Sequence, residues 1–142
     1  MYLREYQFGD VHLFEPRREA GLDLARVEQQ AMMGVTTTFL HQGEVIAIGG
    51  MIPHWRGYSN SWFLTGDAVR SKAGLALTKS VKYVIETYIA NNYIHRLDTY
   101  VSPDNDENVR WIELLGFERE SLARRVMPNG DDMYVYVMLK EH

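Results

Sequence analysis

The stretch Ser61–Ile89 constrains the fold most, because it reads as a strand running into a long helix. Ser61-Trp62-Phe63-Leu64-Thr65 is apolar and aromatic and closes on Gly66-Asp67, the signature of a strand and its turn. Val69, Ala73, Leu77, Val81, Val84 and Tyr88 then recur at helical spacing, which predicts an amphipathic helix over Leu77–Ile89. The small residues Ala73, Gly74 and Ala76 predict a short loop between the two elements. A loop of this kind at a helix start presents bare N–H groups, and the helix dipole adds partial positive charge, so the geometry suits a phosphate. The same pattern also suits a plain connection in which small residues only permit close packing. His95–Val101 follows, with Leu97, Thr99 and Val101 alternating against Arg96, Asp98 and Tyr100, which predicts another strand. Strand, long helix, strand is a crossover, and a crossover predicts a parallel pair within a sheet whose other strands are antiparallel.

The rest of the chain supplies those other strands. Tyr2–Tyr6 alternates weakly and predicts a short strand, with Asp10 expected to cap a helical turn over Val11–Phe14 and Pro16 to start or end a helix. Arg17–Met33 has helical spacing, with Ala20, Leu24, Val27 and Ala31 on one face and Glu28 off it; Gly21 is expected to divide two helices. Val35–His41 and Glu44–Ile52 predict a hairpin joined by Gln42-Gly43. Gly49-Gly50 predicts a bulge or a close approach of another group to the backbone. Pro53–Asn60 is expected to be an aromatic, polar loop. Asn91-Asn92 closes the long helix, and Asn105 caps a short one that ends at Gly116. Phe117–Val126 and Met133–Leu139 predict a final strand pair.

Composition narrows the function. The 142 residues suit a single domain spanning 1–142, with a core of ordinary size. A net charge of −4 argues against general electrostatic binding of nucleic acid. No cysteine is present, so thiolate catalysis and cysteine-based zinc sites are excluded. Met1-Tyr2-Leu3-Arg4-Glu5 does not read as a signal peptide and no apolar run is long enough to span a bilayer, so the expectation is a cytoplasmic protein with no membrane partner. His12, His41, His54, His95 and His142 have no metal-ligand spacing, and no metal is expected.

The element order, taken with the small-residue loop after the fourth strand, resembles the GNAT superfamily of acyl-CoA-dependent N-acyltransferases. Asn105 through Gly116-Phe117 is similar to that family's segment of Asn, short helix and Gly-Phe. The resemblance covers almost the whole chain. It implies an α+β fold, a mostly antiparallel twisted sheet with flanking helices. It also implies acetyl-CoA as co-substrate, an amine acceptor on a small molecule or a protein lysine, and a homodimer in many members. The coenzyme site it implies comprises Thr65, Val69, Arg70, Ser71, Lys72, Ala73, Gly74, Leu75, Ala76 and Asn105. Gly74 and Ala76 match the family's pyrophosphate loop. Ser71 stands where Arg or Gln is usual, with Arg70 one residue earlier as the alternative charge.

For catalysis the family often uses a tyrosine four residues before the Gly of Gly-Phe, and here that residue is Ile112. Tyr100 is the substitute expected to protonate the leaving thiolate, with Tyr134 and Tyr136 as alternatives; His54 and Asp67 are candidate bases. Each also has a structural reading: His54 as a solvated loop residue, Asp67 as a helix cap, Tyr100 as a packed strand aromatic. Trp62–Thr65 with Asp67, Gly74 and Ala76, together with Ala47–Gly50 and Asn105–Gly116, also resemble a phage-encoded GNAT-like family that includes internal virion proteins of short-tailed phages. That resemblance implies a second expectation, a catalytically inactive module in the host cytoplasm or the virion with a host or virion protein as partner.

Overall fold

The computed structural model describes residues 1–16, 23–66 and 73–141. Among these residues lie seven strands and three α-helices: β1 (Tyr2–Glu5), α1 (Leu24–Ala31), β2 (Val35–His41), β3 (Glu44–Trp55), β4 (Tyr58–Thr65), α2 (Ala73–Asn92), β5 (Arg96–Val101), α3 (Asp106–Leu114), β6 (Glu118–Ala123) and β7 (Met133–Leu139). The strands hydrogen-bond in the order β1-β2-β3-β4-β5-β7-β6. The expected crossover is present: β4 and β5 are parallel, with Tyr58 opposite Arg96, Ser59 opposite Leu97 and Asn60 opposite Asp98. The pairs β1–β2, β2–β3, β5–β7 and β6–β7 are antiparallel.

The chain forms two compact units, Met1–Ile52 with Ser61–Val84, and Pro53–Asn60 with Ile85–His142. In the first, the β2–β3 turn at Gln42-Gly43 has φ of 51° and 82°, as a two-residue hairpin requires. Val11, Ala31, Val45 and Ile48 form a buried cluster with Tyr6, and Leu24, Val27, Trp62 and Leu64 pack against it. In the second, Leu97, Val101, Ile112, Leu115, Phe117, Tyr136 and Val137 are buried.

Several expectations are corrected. Pro53–Asn60 is not a loop, since β3 runs on through His54 and Trp55 and β4 starts at Tyr58, leaving only Arg56-Gly57 as the turn. Aromatic residues on both faces of these strand ends hide the alternation that would have marked them. Ala73–Ala76 is not a loop either: it is the first turn of α2. On α2 the buried residues are Ala73, Leu77, Thr78, Val81, Ile85, Tyr88 and Ile89, with Val84 only half-buried, because the apolar stripe steps by four through Ile85. Asp10 caps nothing; it lies inside a 3-10 turn (Asp10–His12) preceded by Gly9 at φ 93°. Pro16 bridges to Gly66 in antiparallel fashion. Of the Arg17–Met33 region, α1 occupies Leu24–Ala31, and residues 17–22 lie outside the described residues. Glu28, expected off the apolar face, is buried and held by the Tyr6 hydroxyl and the Gly9 N–H. The last strand pair is shorter than expected, with β6 ending at Ala123.

Candidate functional site

In the first unit, Gly49 and Gly50 decide what β4 can carry. A Cβ on Gly49 would come 3.0 Å from the Phe63 ring, and one on Gly50 would come 2.3 Å from Trp62 Nε1. The two glycines thus serve close approach, and the β2–β3 register shift lies elsewhere, between Phe39 and Leu40. Phe63 and Trp62 point to opposite faces of β4, as neighbours on a strand must. The ladder extends past Thr65, because the Gly66 N–H donates to the Ile46 carbonyl at 3.1 Å.

Asp67, Val69, Arg70, Ser71 and Lys72 lie outside the described residues. Among the described residues α2 starts at Ala73. Ala73 is buried, and Thr78 Oγ1 donates to the Gly74 carbonyl at 2.8 Å. Leu75 is exposed. The first turn of α2 contains no acidic residue, so nothing there offsets the partial positive charge of the helix start. Ala73, Gly74 and Ala76 keep the side chains of this turn small.

In the second unit, Tyr100 sits on β5 opposite Val135 and is 47% exposed, so it is not a packed strand aromatic. Asn105 caps α3, its side-chain oxygen accepting the Asn108 N–H at 3.1 Å. Ile112 is 4% exposed and faces the core, so this position of α3 offers packing and no proton. The tyrosine hydroxyl that reaches α3 is that of Tyr136. It donates to Glu113 Oε2 at 2.9 Å and accepts from Arg119 Nε at 3.2 Å. Burial, with help from Glu113, raises the Tyr136 pKa above its ordinary value against the opposing pull of Arg119, so the phenol stays protonated at neutral pH. Arg119 also lies 3.7 Å over the Tyr134 ring.

His54 is exposed and stacks on Tyr58, ring centroids 4.7 Å apart, while Trp55 meets Tyr58 edge-on at 5.1 Å. Tyr58 stands opposite Arg96 at the start of β5, and Tyr100 is four residues further along that strand, about 13 Å away at the usual rise. His54 and Tyr100 are therefore not brought together. Around Asp98 the structure assembles a cluster that sequence reading missed. Its carboxylate accepts from the Tyr58 hydroxyl at 2.6 Å, Asn60 Nδ2 at 2.9 Å and Arg96 Nη2 at 3.4 Å. Arg96 in turn holds Glu120 by two bonds of 2.7 Å. Tyr58 and Asn60, two polar residues spaced to share a face of β4, were the signal for it.

Among the described residues no group of His, Cys, Asp or Glu is arranged to hold a metal ion, and no helix is long and apolar enough to cross a membrane. No family model and no curated protein matches the sequence. Solved structures do match. Ard1 from Thermoplasma volcanium is similar over 99% of this chain and 98% of its own, with a TM-score of 0.76 and 15% identity. An IAA acetyltransferase from Bacillus cereus is similar over 98% and 99%, with a TM-score of 0.76 and 11% identity. A ribosomal-protein-S5-alanine acetyltransferase from Vibrio fischeri is similar over 98% and 92%, with a TM-score of 0.71 and 14% identity. The chain has the GNAT acetyltransferase fold, α+β with a mixed seven-stranded sheet.

Proposed function

We propose that this chain is an acetyl-CoA-dependent N-acetyltransferase in which residues 1–142 act as one functional domain. The observation that carries the reading is the first turn of α2: small, free of carboxylates, and placed after β4 in a fold that acetyltransferases share. Ala73–Ala76, with Val69–Lys72 before them, hold the diphosphate by backbone N–H groups, and Arg70 and Lys72 add charge. The arm of the co-substrate runs back along β4 past Thr65, and Asn105 contributes from the start of α3. The acceptor amine gives up a proton to Asp67, and its nitrogen attacks the thioester carbonyl carbon. The C–N bond forms, the C–S bond breaks, and the thiolate takes a proton from Tyr100.

The test is thermal unfolding with and without acetyl-CoA, for the native chain and for Gly74→Glu. Saturation near a hundred times the dissociation constant adds about 2.7 kcal/mol, a rise of several degrees. Glutamate in the first turn of α2 favours the helix itself but repels a diphosphate, so the variant is expected to fold and to show no rise. No rise for the native chain would defeat the reading.

Ile112 favours a second reading, a non-catalytic module of the kind the phage resemblance implies, with a host or virion protein as partner. Acetyl transfer lost in Gly74→Glu would exclude it.

A further inference from the structure

Among the described residues, one buried side-chain nitrogen or oxygen has no hydrogen-bond partner, Nε1 of Trp62. Most buried donors in native proteins are paired, because an unpaired one forfeits its bond to water and gains nothing in return. The pyrrole edge of this indole rests on the backbone of Gly50. A Cβ there would come 2.3 Å from Nε1, 2.5 Å from Cε2 and 2.7 Å from Cζ2. Glycine inside a strand weakens it, so β3 carries a second cost at the place where the indole lies. Trp62 is on β4, four residues before Gly66, and about 13 Å of strand separates them. An acyl-CoA anchored by its diphosphate beyond Gly66 can lay its pantetheine arm along that length.

We propose that Trp62 is a ligand-binding residue, its indole N–H turning off Gly50 to donate to a carbonyl oxygen of the bound acyl-CoA. The inference rests on the acyl-CoA reading above. An indole N–H donates and cannot accept, so along the arm of an acyl-CoA its partner is a carbonyl oxygen. The pantetheine amides and the acyl thioester both present one.

The experiment is calorimetric titration of acetyl-CoA and of CoA into the native chain and Trp62→Phe, with the unliganded thermal midpoint of each. Phenylalanine keeps an aromatic ring and removes the orphaned donor. The variant is expected to unfold cooperatively and to bind acetyl-CoA about tenfold more weakly. CoA weakened to the same degree assigns the bond to a pantetheine amide; CoA unaffected assigns it to the thioester oxygen. Equal binding of both ligands by both proteins overturns the inference and leaves the acyl-CoA reading standing. Binding of neither by the native chain overturns both. Should Trp62→Phe not fold, the Trp55→Phe, Trp111→Phe double variant leaves Trp62 as the sole tryptophan. Its emission is expected to shift when acetyl-CoA binds, and unchanged emission at saturation overturns the inference.

Discussion

The hydroxyl of Tyr58 donates to Oδ2 of Asp98 at 2.6 Å, across the short stretch in which β4 and β5 pair. Asn60 takes the other oxygen of the same carboxylate, and Arg96 reaches it from the strand that carries it. Asp98 is 7% exposed, and a carboxylate so placed is tolerated only where donors replace its water. A parallel pair has no tight turn to set its register, so these side-chain bonds supply what a hairpin loop would supply elsewhere.

That bond should be visible in the titration of Tyr58. Burial and then the Asp98 carboxylate push its pKa up to about 12, outweighing Arg96. The folded value lies above the unfolded one, so the associated stability is complete below pH 10 and is lost as pH rises from there through 12. The phenolate absorbance of the native chain minus that of Tyr58→Phe is expected to rise only near pH 12. A transition near pH 10 would show that the hydroxyl is not held by Asp98.

Asp10 gives the opposite dependence. Burial alone would raise its carboxyl, but the bonds from Arg4 at 2.6 and 2.9 Å, the Gln7 N–H at 2.9 Å and Thr38 at 2.7 Å outweigh it, and the pKa is lowered. Stability from this group is complete above the unfolded pKa near 4 and is lost as pH falls through the lower folded value. Asp10→Ala leaves the Arg4 guanidinium without its partner and is expected to cost about 3 kcal/mol at pH 7, roughly 10 °C in thermal midpoint. The difference between native and variant midpoints should shrink as pH drops below 4. A constant difference would mean that packing, not charge, is what Asp10 contributes.

Gly57 turns β3 into β4 at φ 88°, and a Cβ on it would meet the His95 ring at 2.4 Å. Its carbonyl also accepts the His95 and Arg96 N–H groups at 2.9 and 3.1 Å. Gly43, at φ 82°, has no atom within 4 Å of the same position, so it serves as the control. Gly43→Ala should cost about 1 kcal/mol from backbone conformation alone, whereas Gly57→Ala should cost roughly 3 kcal/mol, because the His95 ring must also move. Equal losses in urea unfolding would show that His95 moves aside freely.

If Tyr100 protonates the leaving thiolate, Tyr100→Phe should lower kcat about a hundredfold without changing acetyl-CoA affinity. Its 47% exposure leaves room for the change without loss of fold. An unaltered kcat would remove Tyr100 from the reaction and direct attention to Tyr136.

Much of the fold was legible because local chemistry and tertiary structure agree. Gln42-Gly43 can adopt two positive φ values, Asn105 can cap, and Gly116 at φ 107° can end α3, and each does so. Legibility failed where long-range contacts decide. Nothing adjacent in sequence tells Asp10 that Thr38 and Arg4 will surround it, or Asp98 that Tyr58 and Asn60 will. Ala73–Ala76 looked like a loop because small residues serve loops and helix starts equally well. The candidate site was legible as residue types, including Gly74, Ala76 and the absence of a hydroxyl at Ile112. The exposure of Tyr100 and the separation of His54 from it required coordinates. The orphaned indole of Trp62 could not be read from sequence, since an unmade bond leaves no pattern.

The parallel pairing of β4 with β5 also has a kinetic meaning. Tyr58 and Asp98 are 40 residues apart in the chain, with α2 between them, whereas the β2–β3 hairpin closes over two. Closing the longer span forfeits more chain entropy before any contact repays it, so the Tyr58–Asp98 bond is expected to form after the rate-limiting barrier and the Gln42-Gly43 turn before it. Tyr58→Phe should then speed unfolding and leave the refolding rate unchanged, while Gly43→Ala slows refolding; the reverse partition would place the crossover in the folding nucleus. A chain built this way comes apart first where its two parallel strands meet.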